Sequence, residues 1–354
     1  MDSALKPVIL ADRAIGVGCP VFIVAEVGVN HNGDCDLALR LVDIARQAGA
    51  DCVKFQTFSA ERVATRSAEK APYQRVTTRS AGSQLDMLKH LELPADAYPR
   101  ILEACHSAGL VFLSTPYAPE DADFLHGLGA PAYKVASAQI VELSFLEYVA
   151  RKGKPILLST GMATLSEVDE AVRAIRGVGN EDIVLLQCTT NYPSSVDDAN
   201  LRAIRTLGGS CGTLVGYSDH TTTAACCIAA AALGAVVIEK HLTLDKSLPG
   251  PDHAASSDPG EFRQMVESVR QVERALGTGR KEPSAAERVN LPHMRRSIVA
   301  KAAIRAGTVL TPDLLAFKRP ASGISPARLE DVVGTRIRVD LEPDSFIRWG
   351  DLEW

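Results

Sequence analysis

Eight short apolar runs, rich in β-branched residues, recur through the first four-fifths of this chain, and helix-like stretches separate nearly all of them. Buried parallel strands read as continuous apolar runs, and strands that alternate with helices indicate βαβ units. Eight such units in succession predict an α/β fold of the (β/α)8 TIM-barrel type. Functional groups in such a barrel project from the carboxyl ends of the strands, so the pattern also predicts where the active site lies.

Polar or ionisable residues stand at or just beyond the carboxyl end of each predicted strand. In chain order they are Glu26, Lys54, Gln56, Thr115, Lys134, Ser137, Ser159, Thr190, Asn191, Ser218, His220, Glu239 and His241. Because the carboxyl ends of all the strands meet at one face of a barrel, we expect these side chains to surround a single cavity.

The chain is longer than one barrel needs. Its 354 residues exceed a typical barrel of roughly 250 by about 100, which is enough for a small second domain. The string GTGRKEPSAAE is rich in glycine, proline and small residues, which predicts a linker over 281–292. We expect the barrel over 1–280 and a compact module of short strands over 293–354. Such a module has a small core, so we expect it to dock on another surface.

One interval between predicted strands is unusually long. About 55 residues separate the second strand from the third, whereas the other steps take about 20 to 30. The excess, residues 58–93, would lie on the catalytic face of the barrel. It is either a surface excursion without a ligand role or a substrate loop.

Composition argues against several classes of protein. A net charge of −5 disfavours general nucleic-acid binding, which relies on a basic surface. No stretch approaches the ~18 apolar residues of a membrane span, and no signal-peptide core is visible. The eight cysteines show no CxxC spacing, which suits a reducing compartment. We therefore expect a cytoplasmic protein with neither a membrane nor a nucleic-acid partner.

Two histidines form the sharpest candidate for a metal site. His220 and His241 end predicted strands seven and eight, and adjacent strands lie ~4.8 Å apart, so their imidazoles can converge on one ion. Two neutral imidazoles leave coordination positions open, which suits a divalent ion such as Mn²⁺ that also holds substrate oxygens. Two alternatives stay open: ordinary hydrogen-bonded strand ends, or a zinc site with Cys188, although the apolar run around this cysteine favours the core.

A second set of strand-end residues combines cations with hydroxyl groups. Its members are Lys54, Lys134, Ser137, Ser159, Thr190 and Ser218. Two ammonium groups with several hydroxyl donors predict a site for an anion such as phosphate. A single lysine could instead pair with Glu26 or Glu239, and Lys134 could be the Schiff-base nucleophile of an aldolase.

Several strings, in order along the chain, carry a resemblance to a known family. They are AEVGVNHNGD (25–34), GADCVKFQTF (49–58), KVAS (134–137), LSTGMAT (158–164), GYSDHT (216–221), IEKHLTLD (238–245) and GPDHAAS (250–256). With them the chain resembles the sialic acid synthases, which condense phosphoenolpyruvate with an N-acetylated hexosamine to form nonulosonic acids. The strings RRSIVA (295–300), FKRP (317–320) and VVGTRIRVDL (332–341) resemble the antifreeze-like (SAF) domain of the same family.

The resemblance implies roles for individual residues. Catalytic roles fall to Glu26, Lys54, Lys134 and Glu239, and His220 and His241 would hold a divalent metal, Mn²⁺ first with Mg²⁺ or Co²⁺ as alternatives. Substrate contacts fall to Gln56, Thr115, Ser137, Gln139, Ser159, Thr190, Asn191, Tyr192, Ser218, Asp252 and Arg319. Arg319 would reach the active site of the other subunit, which implies a domain-swapped homodimer.

The acceptor sugar is left open by the resemblance. The first expectation is N-acetylmannosamine, converted to N-acetylneuraminate with C–O cleavage and release of phosphate. Gln139 stands where close relatives often have an acid, and Thr190-Asn191 stand where other members vary. Legionaminic or pseudaminic acid synthesis is therefore an alternative. More distant alternatives are a phospho-sugar 3-deoxy-ulosonate synthase, a lysine aldolase, and a non-catalytic protein whose C-terminal module binds ice or carbohydrate.

Overall fold

Continuous apolar runs form the barrel strands because both faces of each strand are buried, as in Phe22–Gly28. The computed structural model of the protein describes residues 5–78 and 81–354. The strands are β1 (Phe22–Gly28), β2 (Cys52–Thr57), β3 (Val111–Pro116), β4 (Tyr133–Val135), β5 (Ile156–Ser159), β6 (Ile183–Cys188), β7 (Leu214–Asp219) and β8 (Val237–His241).

These strands pair in parallel in the order β3-β2-β1-β8-β7-β6-β5-β4. The last strand returns to the first, with His241 opposite Glu26 in register. The two strands at the ends of this order, β3 and β4, lie side by side, so the sheet curls into a nearly closed barrel. The predicted (β/α)8 fold is therefore confirmed.

A helix follows each barrel strand and packs its apolar face against the sheet. The helices are α1 (Cys35–Gln47), α2 (Ala97–Ser107), α3 (Pro119–Gly127), α4 (Leu143–Ala150), α5 (Leu165–Gly177), α6 (Ala203–Cys211), α7 (Ala225–Ala232) and α8 (Pro259–Leu276). In α1 the buried residues Ala38, Leu41, Val42 and Ala45 recur every three or four positions, as an amphipathic helix requires. Within the described ranges, none of the helices combines the length and the apolar character that a bilayer crossing needs.

A short antiparallel hairpin, Val8–Leu10 with Arg13–Ile15, precedes the barrel. Its Val8, Leu10 and Ile15 join the apolar cluster formed by residues at the amino ends of the strands, such as Phe22 and Val111. The hairpin thus plugs the amino-terminal end of the barrel, and the interior is left open at the carboxyl ends of the strands.

The long interval between β2 and α2, here called the β2–α2 excursion (residues 58–93), contains the short helices Ala60–Val63, Pro72–Thr78 and Gln84–Lys89. They enclose a small apolar cluster that includes Ala60 and Leu85. Lys89 Nζ lies 2.8 Å from Glu61 Oε1 and joins the first helix to the third. Residues 79 and 80 lie outside the described ranges.

Contacts divide the chain into two compact units, Met1–Gly277 and Thr278–Trp354. In the second unit, strands Ser297–Ala300 and Leu315–Lys318 form one antiparallel pair, and Arg336–Ile337 and Leu352–Glu353 form another. Its apolar core includes Ile298, Leu310, Val332, Ile337 and Ile347.

Most of the predicted linker over 281–292 lies in a helix, Ala285–Met294, rather than in irregular chain. Ser284 accepts a hydrogen bond from the backbone N–H of Glu287, and the Glu287 side chain accepts one from the backbone N–H of Ser284. The SAAE string contains this capping box, Ser284 with Glu287, and two alanines, which are good helix formers.

Candidate active site

A cavity of about 390 Å³ opens at the carboxyl end of the barrel. Most of the predicted site residues line it together: Glu26, Lys54, Gln56, Thr115, Lys134, Ser137, Ser159, Thr190, Tyr192, Ser218, His220, Glu239, His241 and Asp252. They meet because side chains alternate between the two faces of a strand, and the inward set of every strand reaches the same mouth.

Three predicted substrate contacts are not among the described residues that line the cavity. Gln139 lies in the single turn Ser137–Gln139 beyond β4, which directs its amide to the carbonyl of Tyr117 at 3.2 Å. Asn191 is exposed on the loop after β6. Arg319 belongs to the second unit, where its Nε donates to the carbonyl of Met294 at 3.0 Å.

Two lysines and two glutamates form a buried charged cluster in the cavity. Lys54 Nζ lies 2.5 Å from Glu26 Oε2 and 3.9 Å from Glu239 Oε1, and Lys134 Nζ lies 4.0 Å from that same Glu239 oxygen. Each of the four residues is at most 4% exposed. The pairing of lysine with glutamate that the sequence left open is thus present, but it occurs inside a cavity that a ligand can enter.

Burial disfavours the charged form of both Glu26 and Glu239, and neighbouring charged groups determine the direction in which each pKa shifts. Burial raises the pKa of Glu26 to about 7, against the attraction of Lys54 and with a contribution from Glu239. Burial also acts to raise the pKa of Glu239, but Lys134 and Lys54 outweigh it and hold that pKa below its usual value. Glu239 therefore keeps its charge, whereas Glu26 can exchange a proton near neutral pH.

The pKa values of the two ammonium groups are also shifted in opposite directions. Burial lowers the pKa of Lys134, although Glu239 partly opposes this. For Lys54, Glu239 and Glu26 outweigh burial and raise the pKa. Lys134 Nζ donates to Ser159 Oγ at 2.6 Å, and Lys54 Nζ donates to Thr115 Oγ1 at 3.3 Å. Each lysine therefore lies beside a hydroxyl group that can donate to the same anion.

The two predicted metal ligands lie next to each other, with ring centroids 5.3 Å apart. Nδ1 of His220 lies 2.7 Å from the carbonyl oxygen of Thr189, so it carries the proton and leaves the lone pair of Nε2 free. Metal-binding histidines usually donate their other N–H in this manner. His241 Nδ1 is buried without a hydrogen-bond partner among the described residues, and it lies 3.9 Å from Asp252 Oδ2.

This donor set fits a metal that has few protein ligands. In the described part of the chain, no group of three or more histidine, cysteine or acidic side chains is placed to hold an ion. Cys188 is buried and lines the cavity, but its Sγ lies 3.8 Å from Nδ1 of His220, the nitrogen already bonded to Thr189. The geometry therefore favours the two-histidine prediction over a zinc site with Cys188, and the metal itself stays a prediction.

One wall of the cavity comes from the β2–α2 excursion, and the sequence did not predict its residues. They are Phe58, Val63, Ala71, Tyr73, Gln74, Gln84, Met87, Leu88 and Leu91. The ring of Tyr73 lies 5.2 Å from that of Tyr192, which in turn lies 4.1 Å from the imidazole of His220. The structure therefore favours a loop that contributes to the site over a surface excursion. In the sequence, the unusual length of this segment was the feature that indicated a role in the site.

Tyr117, just beyond β3, is another cavity residue that the sequence analysis missed. Its hydroxyl donates to Gln56 Oε1 at 3.2 Å, and Gln56 Nε2 donates to Glu26 Oε1 at 3.1 Å. Tyr117 thus fixes the amide that contacts the carboxyl group with the raised pKa. A tyrosine directly after a strand was the available signal.

Known proteins resemble this chain in fold and in sequence over most of its length. The profile of the NeuB family matches residues 41–281, and that of the SAF domain matches 295–353. The N,N'-diacetyllegionaminic acid synthase of Campylobacter jejuni is 43% identical over 92% of this chain and 98% of its own length. The enzyme of the same name from Legionella pneumophila is 41% identical over 96% of each chain.

A solved structure agrees with these matches. The crystal structure of N-acetylneuraminic acid synthetase from Leptospira borgpetersenii, in complex with citrate, superposes with a TM-score of 0.72 at 32% identity. The match covers 82% of this chain and 96% of that one. The chain therefore belongs to the NeuB family and ends in a SAF domain.

Proposed function

We propose that this protein condenses phosphoenolpyruvate with an open-chain N-acetylated aldose to form a nonulosonic acid, with release of phosphate. The observation that carries the proposal is that one cavity contains two different sets of groups. Lys54 and Lys134, with neighbouring hydroxyls, suit the two anionic groups of phosphoenolpyruvate. His220 and His241 suit a metal that binds the acceptor. The names of relatives in the NeuB family support this reaction class.

Lys54 and Lys134 would act by compensating the negative charges of phosphoenolpyruvate. Phosphoenolpyruvate brings a carboxylate and a phosphate into a site where Lys54 and Lys134 are buried and already held near Glu239. Buried charges interact more strongly than solvated ones, so ammonium groups fixed in advance stabilise the charge that develops on the departing phosphate.

The second set would hold the acceptor aldehyde. A divalent metal, Mn²⁺ with Mg²⁺ or Co²⁺ as alternatives, would be held by His220 and His241 and would polarise the aldehyde carbonyl. C3 of phosphoenolpyruvate forms the new bond to the aldehyde carbon, whose oxygen gains a proton. Water adds at C2 and loses a proton, and cleavage of the C2–O bond releases phosphate and leaves the keto acid. Glu26, with its pKa of about 7, is a cavity group that can carry a proton between these steps.

For the acceptor we favour a 2,4-diacetamido-2,4,6-trideoxy sugar leading to N,N'-diacetyllegionaminic acid, ahead of the N-acetylmannosamine expected from the sequence. The two relatives that make this product by name are 43% and 41% identical. The cavity wall from the β2–α2 excursion also includes an apolar part, Val63, Met87, Leu88 and Leu91. Such a wall can bury the methyl groups of two acetamido substituents and of a deoxy C6.

The test is an assay of the purified protein with phosphoenolpyruvate, Mn²⁺ and each candidate sugar in turn. We expect the diacetamido sugar to exceed N-acetylmannosamine in kcat/KM by about 10-fold or more, since one methyl group in an apolar pocket discriminates on that scale. Phosphate release and product mass would be followed, and ¹⁸O in the bridging position should leave with phosphate. Absence of product with every sugar would overturn the synthase proposal, whereas a preference for N-acetylmannosamine would overturn only the choice of acceptor.

The resemblance to the family also supports a domain-swapped homodimer in which Arg319 serves the active site of the partner subunit. We expect an Arg319→Ala protein, after verified subunit exchange with a His241→Ala protein, to recover part of the activity that each lacks alone. The mixed dimer would contain one barrel with intact histidines that receives an intact arginine. Light scattering should show a dimer. An active monomer, or no recovery after exchange, would contradict this arrangement.

A further inference from the structure

A buried ion pair lies directly behind the two histidines and takes no part in the proposed chemistry. Lys240 Nζ lies 2.6 Å from Asp219 Oδ2. The two residues are 3% and 1% exposed. Asp219 immediately precedes His220, and Lys240 immediately precedes His241. The pair also matches in register, since Lys240 on β8 stands opposite Asp219 on β7.

The alternation of side chains places this pair outside the cavity. Glu239 and His241 line the cavity, so Lys240 between them points to the opposite face of β8. Asp219 likewise points outward, toward α7, where the thiol of Cys227 donates to its Oδ2 at 3.2 Å. Neither charged group is placed to touch a substrate.

The ammonium group of Lys240 donates three hydrogen bonds, all to the short segment 219–223. Nζ donates to Asp219 Oδ2 at 2.6 Å, to the carbonyl of Thr221 at 2.8 Å and to the carbonyl of Thr223 at 3.2 Å. This segment contains His220. A single side chain from the strand of one histidine therefore holds the turn that contains the other.

Asp219 completes the attachment of the turn. It accepts hydrogen bonds from the Tyr217 hydroxyl at 3.0 Å and from the backbone N–H and hydroxyl of Thr221 at 2.9 and 3.2 Å. On the other side, the carbonyl of His220 accepts from the backbone N–H of Ser194 at 2.8 Å. The backbone that carries His220 is thus fixed from two directions.

We propose that Lys240 and Asp219 are positioning residues that set the separation and orientation of His220 and His241 for a divalent metal. A buried ion pair is weak evidence for stability, because the cost of desolvation offsets the attraction. Groups behind a ligand that fix its geometry typically change metal affinity by about 10- to 100-fold when they are removed. The inference rests on the metal part of the proposed function.

The experiment measures Mn²⁺ binding by electron paramagnetic resonance, which reports affinity without turnover. The variants are Asp219→Asn, which keeps the shape and part of the hydrogen bonding, and the double variant Asp219→Asn with Lys240→Met, which removes both charges together. We expect the Kd for Mn²⁺ to rise by about 10-fold or more in the double variant, and less in Asp219→Asn. The KM for phosphoenolpyruvate at saturating Mn²⁺ should change much less than the Kd.

A matched control removes an ion pair at the other end of the barrel. Arg270→Met breaks the 2.8 Å pair with Asp51 and should leave Mn²⁺ affinity unchanged. Unchanged Mn²⁺ affinity in a folded Asp219→Asn and in the folded double variant would overturn the positioning role alone. If the double variant does not fold, Asp219→Asn decides the question. No Mn²⁺ binding by the wild-type protein would overturn the metal part of the proposed function, and this inference with it.

Discussion

Replacing His241 with alanine should lower turnover by about 10³-fold or more, because metal polarisation of a carbonyl contributes several kcal/mol to catalysis. His241 has a buried Nδ1 without a hydrogen-bond partner among the described residues, and its ring lies 5.3 Å from that of His220. Two imidazoles line the cavity among the described residues, so losing one should leave too few protein ligands to hold the ion. We therefore expect the variant to lose Mn²⁺ binding as well as activity.

Two measurements separate this loss from general damage. Dialysis of the wild-type protein against a chelator should abolish turnover, and added Mn²⁺ should restore it. The circular dichroism spectrum of His241→Ala should match that of the wild type, since the side chain faces the cavity rather than the apolar core. As a control, His126→Ala removes an exposed histidine on α3 and should keep full activity. Full activity in metal-free enzyme would contradict the metal site.

The positions of the cavity residues on the strands could be predicted from the sequence because two regular features determine them. Parallel strands bury both faces and so read as apolar runs, and their carboxyl ends share one face of the barrel. Lys54, Lys134 and Glu239 follow directly from that geometry. The alternation of side chains also separates Glu239, which faces inward, from Lys240, which faces outward.

The parts of the site beyond the strands could not be predicted, because no period governs them. Gln139 does not line the cavity because a single helical turn follows directly after β4. Tyr73 contacts Tyr192 because the β2–α2 excursion folds around its own apolar cluster and lies against the open end of the barrel. Such contacts depend on tertiary packing of an irregular segment, and a length anomaly shows only that the segment exists.

Replacing Lys134 with methionine should lower kcat/KM for phosphoenolpyruvate by about 10²-fold or more, the scale expected when one preorganised electrostatic contact is lost. The buried charged cluster has two ammonium groups, Lys54 and Lys134, against two carboxyl groups, Glu26 and Glu239. Without Lys134, the charge of Glu239 is balanced by Lys54 alone, and the site then repels the dianionic phosphate that it must bind. Lys54→Met should have an effect of the same order.

The controls for this last prediction also distinguish condensation from Schiff-base chemistry. Lys246→Met removes a lysine that pairs with Glu261 at 2.8 Å near the start of α8, and it should leave the kinetics unchanged. Burial lowers the pKa of Lys134, which would also suit a Schiff-base nucleophile. Borohydride reduction in the presence of the keto acid product should therefore be tested on the wild-type protein, with mass analysis of the peptide that contains Lys134. We expect no adduct, because Nζ already donates to Ser159 and to the carbonyl of Val135 and the reaction needs only its charge. A covalent adduct at Lys134, or normal kinetics in both lysine variants, would show that the ammonium groups do not form the anion site.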